Sequence, residues 1–481
     1  LEFVSQRSCL IRTLFTQVRI PASRAKTFQP QHRRDTVIKL KSIAVALGLA
    51  GIMAGPWERA GAAGFMLFEQ SGSGLGNAFA GGAAAAEDAS TVFLNPAGLT
   101  RLPGQQFAVA VHAIQPVFEF DNQGSTIFNG QPLRGTEGGN AGELAIVPNL
   151  YYAMDLTPRL KFGLGVNVPF GLKTEYSDQS IVRYHAIKSE VTTANINPAL
   201  AFKVNDLVSI GGGVNYQRVT AELTSAIDFG SICFVTPGLG AGPCTALGIT
   251  PQNRDGKVKL EANDDSWGYN FGILFTLPQE TRIGIHYRSS IKHTVEGSAK
   301  FANVPAVFAA SPVFRNGDIK VSVDLPETVS LSSFQQLNPK WELMGDITWV
   351  RWSRFDELRV RFVNGAPDNV TPENWDDSYR VSLGMNYQAN DAWKIRAGVA
   401  YDDSPVSTTF RTPRIPDDDR IWVALGASFK ASKQSTLDIG YVHIFLNGDA
   451  DLNLRSPTAG NLRGEYDGYV DILSVQFTHT F

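Results

Sequence analysis

Two cysteines, a run of glycines and serines, seven histidines and an acidic triplet are the residues whose types and spacing could do chemistry. Cys233 and Cys244 lie in a Gly/Pro-rich stretch, 230–251. No histidine or further cysteine stands at ligand spacing, so a disulfide formed in an oxidising compartment is expected, with two unpaired loop thiols as the alternative and no metal site. Ser73, in Ser71-Gly72-Ser73-Gly74-Leu75, lacks the leading glycine of a nucleophile elbow, and no G-x-G-x-x-G joins a strand to a helix. His32, His112, His185, His286, His293, His443 and His479 form no His-Glu-x-x-His, and His286 and His293 fall on opposite parities of an extended chain. Asp417-Asp418-Asp419 is read as a solvated acidic loop paired with Arg420 or Arg414 rather than a calcium site. The expectation is a protein that is not an enzyme and carries no cofactor.

The elements that hold these residues follow from composition and period. The 481 residues include 45 Gly and 29 Phe against 5 Met, with 19% charged, which suits strands and turns. A formal net charge of -3 argues against a nucleic-acid partner. Residues 1–62 are basic, with ten Lys or Arg against three acids. There Lys39 and Lys41 precede the apolar run Ile43 to Ala54 and the small-residue stretch Ala60-Gly61-Ala62, as in a cleaved secretory signal over 37–62. The run is too short for a membrane-spanning helix. Residues 1–36 fit no signal and are read as an upstream extension, so that the mature chain starts at Ala63.

After residue 104 the dominant signal is period-two alternation. In Val423-Ala424-Leu425-Gly426-Ala427-Ser428-Phe429 one parity is large and apolar and the other small or polar. Six short polar turns (155–158, 205–206, 278–280, 338–339, 390–391, 431–434) alternate with seven long connections (119–143, 169–190, 224–262, 297–318, 364–377, 404–417, 448–463). Thirteen alternating connections join fourteen strands, with both ends on the short-turn side. That pattern predicts an all-β, fourteen-stranded antiparallel transmembrane β-barrel over 105–481, closed because lipid tolerates no unpaired strand edge. A secreted sandwich or propeller is the soluble alternative. Trp341, Trp393, Trp422 and Tyr441 are candidates for the interfacial girdles.

Residues 63–104 do not alternate. They are rich in Gly and Ala, yet Phe65, Leu67, Phe68, Phe79, Phe93 and Leu94 are too apolar for a solvated tail. A lumen of fourteen strands is too wide for wall side chains to fill, so this segment is a candidate N-terminal hatch, with a short helix expected within 78–88. Here Ala63-Gly64-Phe65, Ser71-Gly72-Ser73-Gly74-Leu75-Gly76, Ala85-Ala86-Glu87-Asp88-Ala89 and Asn95-Pro96-Ala97 occur in order. With Leu325-Pro326-Glu327, Trp352-Ser353-Arg354-Phe355 and Pro416-Asp417-Asp418-Asp419-Arg420, they make 63–481 resemble the long-chain fatty-acid transporters of Gram-negative outer membranes, the FadL family.

The resemblance implies a plugged fourteen-stranded barrel in the cell outer membrane that takes up hydrophobic small molecules by passive diffusion, with lateral exit through an inward strand kink near Asn95-Pro96-Ala97. Pro169 and Gly171 could weaken the ladder at the end of the third strand. It further implies Phe65, Phe79 and Arg359 as substrate-binding residues, Arg359 meeting a carboxylate. Gly72, Gly74, Gly76, Asn95, Pro96 and Ala97 would form the hatch and lateral gate. A second family cation falls near Leu223 to Ser225, where this sequence has no basic residue, which keeps an uncharged-hydrocarbon channel as the alternative; a lipid enzyme or an adhesin is more remote. The expected partners are hydrophobic small molecules, outer-membrane lipid and lipopolysaccharide, with no nucleic acid, and the expected state is a monomer.

Overall fold

In the computed structural model, which describes residues 64–448 and 450–481, the alternating segments form a closed antiparallel barrel. The expected signal, extension and start at Ala63 lie outside the described residues.

The fourteen strands are β1 (Gln105–Asn122), β2 (Ala145–Asp155), β3 (Leu160–Asn167 and Gly171–Glu175), β4 (Lys188–Lys203), β5 (Val208–Asp228), β6 (Asp255–Leu277) and β7 (Thr281–Arg288 and Ile291–Ala302). They continue as β8 (Gly317–Leu325 and Thr328–Asn338), β9 (Trp341–Val350 and Glu357–Phe362), β10 (Asn369–Pro372 and Ser378–Gln388), β11 (Trp393–Asp402), β12 (Arg420–Lys430), β13 (Ser435–Leu446) and β14 (Leu462–Thr480). Each pairs with its sequence neighbour, and β1 closes on β14 from Gln106↔Thr480 to Asn122↔Gly464. All thirteen connections fall where the turn signals put them.

Within the bilayer zone, apolar parity faces outward. On β12, Ile421, Val423 and Leu425 are exposed while Trp422 and Ala424 are buried in the lumen. Trp341 and Trp393 stand exposed near the short-turn ends and pack on Tyr387 and Phe429, and Tyr441 is exposed on β13, as girdle residues should. Trp422 is the exception among the four, turned inward under the guanidinium of Arg380. His286 and His293 both face inward and are buried, although seven residues apart, because β7 breaks at Ser289-Ser290 and the break resets parity.

The hatch contains three one-turn helices, α1 (Gly72–Leu75), α2 (Gly82–Ala85) and α3 (Thr91–Leu94), and a 3-10 segment over Pro96–Arg101. The short helix expected within 78–88 is α2, confined to Gly82–Ala85. Ala78, Phe79, Gly81 and Ala86 all take positive φ, which ends an α-helix at each point. Asn95 accepts from the Ala97 backbone N–H at 3.0 Å, opening the 3-10 turn, and donates to the Ala83 carbonyl at 2.7 Å and the Ile273 carbonyl of β6 at 3.1 Å. Asn95-Pro96-Ala97 is thus a rivet between the hatch and the β5–β6 wall.

Between β5 and β6 the chain forms α4 (Phe229–Val235) and α5 (Ala241–Ala246), joined by the Cys233–Cys244 disulfide with Cα atoms 6.0 Å apart. Phe229, Ile249 and Phe308 pack around the bridge. Replacing both cysteines by serine should leave barrel assembly unchanged but remove roughly 2–3 kcal/mol of local stabilisation. Faster amide exchange confined to 229–254 is the expected readout.

Candidate functional site

Phe65 organises the site. Its ring sits in an aromatic box, with centroids 4.8 Å from Trp352, 5.8 Å from Trp375, 6.0 Å from Phe170 and 6.1 Å from Phe355. Gly64 precedes it at φ +74°, and a Cβ there would lie 2.8 Å from Trp375, so the turn that delivers Phe65 requires glycine. The Gly64 N–H donates to Asp417 at 2.7 Å and its carbonyl accepts from Arg420 at 3.1 Å, while Arg420 also clamps Asp417 at 2.6 Å. The acidic triplet is therefore not a solvated loop. Asp417 is buried, holding the first hatch residues, and Asp418 pairs with Arg411 rather than Arg414.

Above this floor lies a cavity with about 920 Å³ of empty space, its opening to solvent included. Val219, Leu260, Val295, Val321 and Val360 supply its apolar wall. These strands extend past the outward-facing Trp267 and Tyr269 of β6, which mark the aromatic girdle on the long-loop side. There the parity rule inverts: with no lipid outside, the apolar side chains turn inward. The polar groups on this lining include Ser189, His293, Glu373 and Arg414. His293 is already engaged, by Asp264 at 2.9 Å and Gln217 at 3.1 Å.

Below the floor, two smaller spaces of about 500 and 380 Å³ lie between hatch and wall, and Phe79 and Leu94 line both.

The wall itself is interrupted beside the floor. The β2–β3 ladder runs from Asp155↔Lys161 to Leu150↔Val166 and then stops. Three residues of β3, 168–170, stand opposite two of β4, 193 and 194, a bulge that bends β3 away from β2. Among the described residues no ladder pair joins Ala145–Asn149 of β2 to β3; the Val168 N–H donates to the Asn149 side chain at 3.3 Å, and backbone pairing resumes at Gly142↔Thr174 in the loop above. The hatch serves the backbone groups so released: Leu67 N–H donates to the Pro169 carbonyl at 2.9 Å and Gly171 N–H to the Phe65 carbonyl at 3.0 Å. Gln70 bonds the Val168 carbonyl at 3.1 Å, and Asn149 bonds the Glu69 carbonyl at 2.8 Å. The segment 65–70 therefore floors the cavity through Phe65 and lies along the gap from inside.

The sequence-derived site residues divide accordingly. Phe65 lies on the cavity and Phe79 beneath it in the hatch core. Arg359 is not brought to the cavity: its neighbours Leu358 and Val360 face in, so strand parity turns it out, where Glu357 and Asp368 hold it at both ends. The cation on the cavity is instead Arg414, which nothing in its local sequence marks. Gly72, Gly74 and Gly76 allow close hatch contacts with Gln476, Phe79 and Gly426 respectively. The β3 bulge lies against residues 65–70, whereas Asn95, Pro96 and Ala97 dock on Gly211 and Gly272, so the strand kink expected near Asn-Pro-Ala is found beside the start of the hatch instead.

The pattern of the outer membrane protein transport protein family (OMPP1/FadL/TodX) matches residues 57–481. An outer membrane protein of Neisseria meningitidis serogroup B is 32% identical over 426 residues, 83% of this chain and 91% of that protein. The long-chain fatty acid transport protein of Escherichia coli (strain K12) is 30% identical over 429 residues, 85% of this chain and 93% of that protein. Among solved structures, a Pseudomonas aeruginosa FadL homologue superposes with TM-score 0.80 at 24% identity, covering 87% of this chain and all of that one. The P. putida toluene transporter TodX superposes with TM-score 0.65 at 17% identity, covering 88% and 99% of the two chains.

Proposed function

The chain belongs to the outer membrane protein transport family (OMPP1/FadL/TodX), and from that premise we propose that it passes hydrophobic molecules, long-chain fatty acids foremost, from the cell exterior into the outer membrane by passive diffusion. The observation that carries the reading is the position of hatch residues 65–70: Phe65 floors the apolar cavity, and the segment it opens borders the β2–β3 gap. A substrate held over Phe65 needs only this strap to shift in order to reach the gap. Sideways exit is physically sensible because it delivers an apolar chain to lipid instead of water. The protein is taken as a monomer, each barrel passing substrate by itself. Lipopolysaccharide is the surrounding outer-leaflet lipid on this reading, and the extracellular loops are the entry side.

Uptake of labelled oleate and labelled toluene, in a host deleted for its own transporter and expressing this protein, tests the reading. Oleate uptake above the deletion background is expected, and Arg359→Ala should leave it within about twofold, because a surface ion pair contributes little. Toluene uptake alone would move the protein to the hydrocarbon alternative. Uptake of neither would sink the channel reading.

A further inference from the structure

The apolar cavity has one polar end. Arg414 reaches it from the β11–β12 connection and donates to Ser189 Oγ at 2.9 Å and the Lys188 carbonyl at 3.3 Å. Its guanidinium forms no ion pair with a carboxylate among the described residues, although it lines the same cavity as Glu373. Glu373, in the connection between the two pieces of β10, is buried and accepts only from Trp375 Nε1, at 3.3 Å, among the described residues. Both groups stand above the aromatic girdle, outside the membrane-spanning strands.

A guanidinium has five donors in a planar fork, and Arg414 uses only part of that set on neutral oxygens. An unmatched cation at the end of an apolar cavity is the complement of an amphiphile with one anionic head. Glu373 complicates the match, since two carboxylates close together cannot both stay ionised in a poorly solvated place.

Resting on the transport reading above, we propose that Arg414 anchors the carboxylate of a bound monocarboxylic amphiphile, and that Glu373 accepts a proton from solvent as the ligand enters and then donates a hydrogen bond to that carboxylate. The bookkeeping is one ligand anion and one proton in, with the charge on Arg414 unchanged.

The electrostatics agree in sign. Burial pushes Glu373 up to about 7, against the lowering effects of the Trp375 hydrogen bond and the Arg414 charge. Arg414 is drawn down by burial to about 10 and so stays cationic near neutral pH. The other titratable groups facing this end are Tyr176, beside Arg414, and His293 with its partner Asp264 across the cavity. At pH 7.5 the free Glu373 is mostly ionised. An incoming anion raises it further, so binding takes up part of a proton. A hydrocarbon or an alcohol brings no charge and takes up none.

Calorimetric titration of the full protein in lipid nanodiscs, with oleate and with oleyl alcohol at pH 7.5 in phosphate and in Tris, tests this. For oleate the binding enthalpy should differ between the buffers in the sense of proton uptake; for oleyl alcohol it should not. Arg414→Gln should weaken oleate by roughly tenfold to a hundredfold, the worth of a charged hydrogen bond, while leaving oleyl alcohol within about twofold. Glu373→Gln should abolish the buffer dependence. Arg414→Lys keeps the charge and should bind oleate more tightly than Arg414→Gln, and heat-dependent gel mobility establishes that each barrel is folded. Equal weakening of both ligands in Arg414→Gln, or oleate binding without proton uptake, would overturn the proposal while leaving the transport reading intact. Binding of neither ligand to the parent protein would overturn both.

Discussion

Cells expressing a variant with Asn149→Cys and Asn167→Cys should lose uptake of hydrophobic substrate, down to the background of cells without the protein, and regain it on reduction. The argument is the register. The last β2–β3 pair is Leu150↔Val166, so residues 149 and 167 stand one step beyond it, at the lower corner of the gap. Both are buried on the lumen face, and Asn167 is still held by β4 through Asn195. A covalent bridge there draws the two edges together at the level where Gln70 and Asn149 now fasten the hatch strap. If substrate leaves sideways, the bridge blocks the exit without touching the cavity, so binding should survive while uptake fails. That split separates an exit defect from a collapsed site. The native Cys233–Cys244 pair lies far along the chain in the β5–β6 connection, and Cys233→Ser with Cys244→Ser removes its contribution to the reduction step. Unchanged uptake in the oxidised variant, with the crosslink verified by mass spectrometry, would direct the exit elsewhere.

The barrel was legible because its rules are local. A polar turn and a two-residue period can each be read within ten residues, which is why all thirteen connections were found. Phe65 was legible for a different reason, an apolar side chain in a segment with nothing of its own to bury it. Arg414 was not legible: it meets Ser189 across 225 residues, and only the closed barrel brings that loop over that strand. Arg359 shows how a sound local rule misleads. The resemblance supplied a cation on β9, but the strand's own alternation already held the answer. Leu358 and Val360 flank it, and above the girdle the apolar parity faces the lumen, opposite to its sense in the bilayer. Reading outward parity along a whole strand assumes lipid along its whole length. The long extensions of β5, β6 and β7 end that assumption partway up.

Gly284→Val combined with Gly398→Val should yield a barrel that assembles, retains its heat-dependent gel mobility, and leaks polar solutes. The reason is a belt of lumen-facing glycines against which the hatch backbone lies directly. A Cβ at Gly284 would fall 1.9 Å from the Ala83 carbonyl oxygen and one at Gly398 2.2 Å from that of Asn77. The same closeness recurs at Gly272 with Asn95, Gly211 with Ala97, and Gly426 with Gly76. Here the nearest atoms are backbone or a buried amide rather than the end of a flexible chain, so rotamer adjustment cannot relieve the contact. The wall is tied by continuous ladders on both sides of β7 and β11, whereas the hatch is held by isolated side-chain bonds, the Glu87–Arg396 ion pair at 2.8 Å among them, and by small apolar contacts. The hatch is therefore the part that moves. Once displaced, it uncovers a lumen too wide for wall side chains to close, and single-channel recordings should change from a quiet baseline to stepwise openings. In the strand sequences these glycines looked like incidental small residues on the polar parity. Their role appears only when a second backbone is laid across them, the situation in which an isolated glycine within a strand period signals close approach rather than weakness. A quiet baseline with uptake unchanged in the double variant would mean that the wall yields instead, and that the hatch is not held by this belt.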